Sequence, residues 1–119
     1  MSISYNFGQE AEKRAAHFYL SKGFHILHKN YRYRKAEVDL IVQKSNLLVA
    51  VEVKARSSDY FGDPHSFVSK KKIQLLVMAM DAYIQERNLD VEVRFDIMSY
   101  LYQKGEWQFK HLPGAFYTF

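Results

Sequence analysis

Between residues 36 and 56 the chain alternates in a way that fixes much of its architecture. Two strand-like runs, AEVDLIVQ and LLVAVEVKAR, flank a short polar break at Ser45 and Asn46. A two-residue break of this kind reads as a tight hairpin turn, in which Lys44 faces Leu47 and paired positions sum to a constant. Asp39 then lies opposite Glu52, and Glu37 opposite Lys54. Side chains along a strand alternate between faces, so all four charged groups share one face. Val49, Val51 and Val53 turn the other way, toward the core. A register shifted by one residue would set Asp39 against a valine, so parity favours the carboxylate pairing.

Like charges directly opposite one another are unfavourable, with Cβ atoms only about 4.5–5.5 Å apart. A divalent cation reverses the sign of that interaction. Mg²⁺ or Mn²⁺ would take Asp39, Glu52 and the backbone carbonyl of Val53, and leave its other positions to water and a substrate phosphate. Lys54 would then hold a phosphate oxygen or polarise the attacking water. Arg56, next along the same face, is a second phosphate ligand. The competing reading is a surface hairpin in which Glu37 pairs with Lys54 and the two acids face solvent.

Around this hairpin the pattern predicts a helix over 8–22, with Phe7, Ala11, Ala15 and Phe18 on one stripe and Gly23 as its stop. It also predicts strands over 24–33, 36–43 and 47–56, and a loop over 57–64 carrying Gly62, Asp63 and Pro64. A long helix over 66–87 is capped by Ser66 or Ser69 and buries Ile73, Leu76, Val77, Met80 and Ile84. Strands over 91–101 and 107–112 close the chain. Helix, three strands, helix and two strands make an α/β sandwich on a mixed sheet. With 119 residues and no internal repeat, residues 1–119 read as one domain.

Charge is unevenly spread. Residues 1–35 hold seven Lys/Arg against two Glu, whereas residues 36–64 hold three against five acids. A basic segment beside a carboxylate cluster suits a polyanion-binding protein with a metal site. Cysteine is absent, which excludes disulfides and thiolate metal sites and points to a reducing cytoplasm. The five histidines, His17, His25, His28, His65 and His111, have no metal-site spacing, so a hard, oxygen-bound cation is expected. No apolar run reaches the roughly 20 residues needed to cross a bilayer, and Met1 to Phe7 does not read as a signal peptide.

Several segments together resemble the YraN-like family of small bacterial proteins. These are GQEAEKRAAHFYLSKGFHILHKNYR, AEVDLIV, LLVAVEVKAR, FGDP before a lysine-rich helix start, RFDIMSY and HLPGAF. Ala36 stands where that family usually has Gly, and Ser66 and Phe67 replace an acidic residue and Ala. The resemblance implies a restriction-endonuclease-like α/β/α sandwich with a central mixed β-sheet, similar to Holliday-junction resolvases. It also implies a Mg²⁺ site of Asp39, Glu52 and Lys54, joined by Glu10 from the first helix. Read from spacing alone, Glu10 is four residues before Arg14 and forms a solvent-facing ion pair.

Lys29, Arg32, Arg34 and Lys35, interleaved with Tyr31 and Tyr33, suit phosphate contact and base stacking. They equally suit an edge strand protected by charge. Lys70 and Lys71, with Lys72, open the long helix at the end where anions are preferred; a docked phosphate or simple solvation both account for them. Asp96 lies in a core-like strand and reads as structural. Phe116, Tyr117 and Phe119 offer an apolar tail suited to a homodimer interface. The activity expected is Mg²⁺-dependent endonucleolytic hydrolysis of DNA, with branched or damaged DNA as substrates. The other readings are a non-catalytic nucleic-acid-binding module and a protein-interaction domain.

Overall fold

The computed structural model describes residues 3–57 and 68–116. In chain order, α1 (Ile3–Ser21) leads into β1 (His25–Tyr33), β2 (Ala36–Lys44) and β3 (Leu47–Arg56). Then follow α2 (Lys70–Arg87), β4 (Glu92–Gln103) and β5 (Glu106–Phe116). The five strands form one sheet in sequence order. Only β3 and β4 run parallel; the other neighbours are antiparallel. A parallel pair needs a long crossover, and the segment containing α2 supplies it.

Successive residues of β3 separate the two helices. Val49 and Val51, with Val53 beside them, pack against Ala11, Ala15 and Tyr19 of α1. Leu48 and Ala50 pack instead with Leu76, Ala79, Met80 and Tyr83 of α2. Neighbours on a strand point to opposite faces, so each face carries its own helix and the molecule is an α/β/α sandwich. Each fully buried aliphatic side chain contributes about 1.5–3 kcal/mol, and both clusters are built mainly from such residues.

The helix ends follow local chemistry. Gly23 has φ +89° and closes α1 with a hydrogen bond to the Leu20 carbonyl at 3.0 Å. Ser69 caps α2 by accepting the Lys72 N–H at 3.1 Å, and Asn88 ends it in the left-handed conformation. Ser66 and the Gly62–Asp63–Pro64 loop lie outside the described residues.

The start of α1, the end of β5 and the buried stripe of α2 differ from expectation, and α2 itself begins at Lys70 rather than residue 66. Helix α1 begins at Ile3 rather than residue 8, because Phe7 packs against Trp107 and Tyr102 at ring separations of 4.9 and 5.5 Å. Strand β5 continues past Leu112 through Pro113. As an edge strand it does not need every ladder donor. The buried stripe of α2 is Leu76, Ala79, Met80 and Tyr83, so the expected stripe is rotated toward Ala79 and Tyr83. Phe116 stacks on Phe95 at 5.0 Å within the chain; Tyr117 and Phe119 lie outside the described residues.

The hairpin register is the one the turn predicts, running from Lys44↔Leu47 to Leu40↔Val51. Strict alternation along β2 does not hold, however. Val38 and Ile41 both belong to the α2-side cluster, whereas Leu40 and Val42 belong to the α1-side cluster. The strand therefore changes face at Asp39. In the adjacent strand Asn30, between the Lys29↔Leu40 and Tyr31↔Val38 pairs, has φ +54°. Irregularities in both strands locally twist the edge of the sheet.

Candidate functional site: a buried carboxylate pair between two lysine-lined cavities

Where β2 changes face, the Asp39 side chain replaces a ladder contact: its Oδ2 accepts the Val53 N–H at 2.8 Å. Glu52 follows the regular alternation of β3 and projects to the α2 side, where Lys72 forms an ion pair with it. The expectation that Asp39, Glu52, Glu37 and Lys54 share a face through simple alternation is thus corrected. Asp39 and Glu52 come together because β2 is irregular, and Glu37 pairs across β1 with Arg32 at 3.1 Å rather than with Lys54.

The carboxylate pair is withdrawn from solvent. Glu52 is only 2% exposed, and neither of its oxygens makes a hydrogen bond of regular geometry. Its counter-charge is the Lys72 ammonium. Burial, then the adjacent Glu52 carboxylate, pushes the Asp39 carboxyl well above its usual range; the Val53 N–H opposes the shift, and Glu12 adds to it. Burial works against the Lys72 ammonium, yet Glu52, Asp39 and Glu37 together raise it above the ordinary lysine value.

A cavity of about 180 Å³ opens over Asp39 on the α1 side, lined by Gln9, Glu12, Lys13, Lys29 and Val53 among others. On the α2 side, a second cavity of about 280 Å³ is bordered by Lys35, Glu37, Ser69, Lys71 and Lys72. The pair therefore stands between two openings, each supplied with lysines.

Of the residues singled out from sequence, the structure brings Lys29 beside Asp39, and Lys35 and Lys71 to the second cavity. Lys54 and Arg56 share the alternation of Glu52 along β3. Arg34 lies over the Tyr33 ring at 5.3 Å, and Arg32 is engaged by Glu37. Tyr31 and Tyr33 pack inward against the α2-side cluster. Lys70 is exposed at the start of α2. Glu10 does not line the cavity over Asp39; it pairs with Arg14 at 3.0 Å. Its place beside Asp39 is taken by Glu12. Burial raises the Glu12 carboxyl, Asn30 and Lys29 oppose this, and the charges of Glu37 and Glu52 add to it.

Glu12 and Lys13 were not singled out from sequence, and Lys72 was read only as part of a lysine run. Each carried a signal. Gln9, Glu12 and Lys13 share one helix face at i, i+3 and i+4, and Lys72 stands one turn before Leu76 on the buried stripe.

The donor set suits a hard divalent cation. Two adjacent buried carboxylates share the single ammonium of Lys72, and an oxygen-seeking ion would supply the second positive charge that balances both. Among the described residues no group of three or more His, Asp and Glu side chains gathers closely enough to enclose a metal. Asp39 and Glu52 are the two carboxylates that could hold such an ion, with its other positions left to further ligands.

Asp96, by contrast, is fully satisfied. It accepts from Arg94 at 2.8 and 2.9 Å, from Tyr19 at 2.6 Å and from the Gly114 N–H at 3.0 Å, with His111 at 2.9 Å. Burial alone would raise its carboxyl, but these partners hold it below the usual range. Its role is structural, as the sequence suggests. Among the described residues no helix is long and apolar enough to cross a membrane.

The family model "Uncharacterised protein family UPF0102" matches residues 11–100. A UPF0102 protein of Christiangramia forsetii is 46% identical over 112 residues, covering 94% of each chain. A UPF0102 protein of Flavobacterium johnsoniae is 47% identical over 117 residues, again covering 94% of each. One from a Sulfurihydrogenibium species is 38% identical over 110 residues, covering 92% of each. The resemblance noted from the motifs therefore holds along nearly the whole chain, which belongs to the UPF0102 family.

Proposed function

We propose that this chain is a divalent-cation-dependent nuclease that hydrolyses phosphodiester bonds of DNA, acting on branched or damaged forms. The observation that carries the reading is the buried Asp39–Glu52 pair standing between two lysine-lined cavities. Asp39, Glu52 and the Val53 backbone would hold Mg²⁺ or Mn²⁺. Such an ion would supply Lewis-acid stabilisation to charge developing on the phosphate.

The chain's own groups do the remaining work. The Val53 N–H fixes the orientation of Asp39. Lys13 and Lys29 attract the phosphate at the α1-side opening, and Lys35 and Lys71 hold a neighbouring phosphate at the other. Lys54 steadies a phosphate oxygen and Arg56 a further one. Glu12, whose carboxyl is raised, is suited to accept a proton from the attacking water.

The test is a cleavage assay on branched and linear DNA with Mg²⁺ or Mn²⁺, run with the Asp39→Ala variant and an RNA panel. Cation-dependent cleavage of DNA, reduced roughly a hundredfold or more by the substitution, supports the proposal. Clean protein that cuts no DNA form with either ion overturns it, and cleavage confined to RNA reassigns the substrate.

A second reading is a nucleic-acid-binding module without chemistry, favoured by the ion pair through which Lys72 already neutralises Glu52. Salt-sensitive DNA binding that needs no metal and is unchanged in Glu52→Ala would establish it.

A further inference from the structure

A helix N-terminus favours anions, yet α2 opens with Lys70, Lys71 and Lys72. Lys72 has a specific reason to be there. It reaches back from the first turn to Glu52 while also lining the cavity shared with Lys35 and Lys71. The two partners are unequally placed: the Glu52 side chain is 2% exposed and that of Lys72 37%. The carboxylate is fixed inside, and the ammonium reaches it on a flexible four-carbon stem whose residue also lines the cavity. A buried ionised carboxylate without a positive partner is strongly disfavoured, so while Glu52 is charged a cation is favoured beside it.

We propose that Lys72 is a resident counter-cation of the Asp39–Glu52 pair, which a divalent ion displaces, releasing the ammonium toward the cavity shared with Lys35 and Lys71. The inference rests on the cation-binding reading above and adds an exchange to it. One lysine neutralises the empty site and serves a substrate phosphate once the metal has taken its place. Loading the carboxylates thereby completes the phosphate-binding cluster on the opposite side of the sheet.

Titration calorimetry of Mn²⁺ into the wild type and Lys72→Met tests the exchange. Removing the competitor is expected to tighten Mn²⁺ binding by about tenfold, equivalent to roughly 1.4 kcal/mol. Unchanged or weaker binding in the variant, with the wild type binding normally, overturns the exchange and leaves the cation site standing. No binding to either protein overturns both. Because Lys72→Met strips Glu52 of its partner and threatens folding, a second measurement uses the wild-type chain. Amine acylation followed by peptide mass spectrometry is compared with and without Mn²⁺. Labelling of Lys72 is expected to rise severalfold on adding the ion, while Lys104 in the β4–β5 turn stays constant. Labelling of Lys72 that is unchanged or falls overturns the proposal.

Discussion

Tyr19 on α1 donates its hydroxyl proton to Oδ2 of Asp96 on β4 at 2.6 Å, joining a helix to a strand 77 positions away in the chain. The same carboxylate also holds His111 of β5 and the Gly114 N–H, so one buried group ties α1, β4 and the edge strand together. Removing the hydroxyl in Tyr19→Phe should cost about 1.5–2 kcal/mol of stability, the lower part of the range for a hydrogen bond to a charged group. Replacing the charge in Asp96→Asn should cost more, roughly 3 kcal/mol, because Arg94 is left partly buried without its partner. Urea unfolding of the two variants measures both.

The Asp96 carboxyl lies below its unfolded value of about 3.9. A depressed acid stabilises the fold at pH above the unfolded value, and that contribution disappears as pH falls through the folded one. The stability gap between wild type and Asp96→Asn should therefore be constant near neutrality and close as the pH is lowered below about 4. Unfolding midpoints recorded across that range give the answer.

Asp39 behaves with the opposite sign. Its carboxyl is raised by burial and by Glu52, so the metal-free protein loses stability as pH climbs through the folded value. Asp39→Asn keeps an oxygen for the Val53 N–H and removes the like charge. In chelator, its melting temperature should exceed that of the wild type, increasingly so at higher pH. With Mg²⁺ added, only the wild type should gain.

Glu12 and Glu10 stand two positions apart but differ in their surroundings. Glu12→Gln should reduce cleavage by roughly tenfold or more, in line with the effect of groups supporting a metal site. Glu10→Gln should leave the rate within about twofold, since exposed i,i+4 ion pairs contribute only a few tenths of a kcal/mol. Initial rates on one DNA substrate decide between them.

Ser45 opens the β2–β3 turn with φ +52°, a conformation that glycine adopts without strain. Ser45→Gly should stabilise the chain by roughly 0.5 kcal/mol, the left-handed penalty removed less the added unfolded-state entropy. Denaturant midpoints would register the gain. Lost stability would show the serine to be favoured there.

Much of the architecture was legible because local signals and packing agree. The two-residue break at Ser45–Asn46 set the hairpin register, Gly23 and Ser69 marked helix ends, and the apolar runs located every strand. Both members of the carboxylate pair were also visible, as charges set among valines. The face change at Asp39 was not, since it depends on a distortion shared with Asn30 in the neighbouring strand. Glu12 was obscured by Glu10, because the two are equivalent in composition and differ only in where α1 docks. Lys72 was hidden in a run of three lysines, and only burial of the α2 stripe distinguishes it from Lys70 and Lys71.

A β-sheet ordinarily acts as a wall, and what binds on one side is invisible to the other. The change of face at Asp39 makes an aperture in that wall. The cavity beneath α1 opens onto Asp39, while its neighbour Glu52 is paired with Lys72 of α2 from behind. The helical layers pack in separate clusters among the described residues, yet both border the same carboxylate pair, so charge brought to one side would be felt electrostatically on the other without any strand having to move.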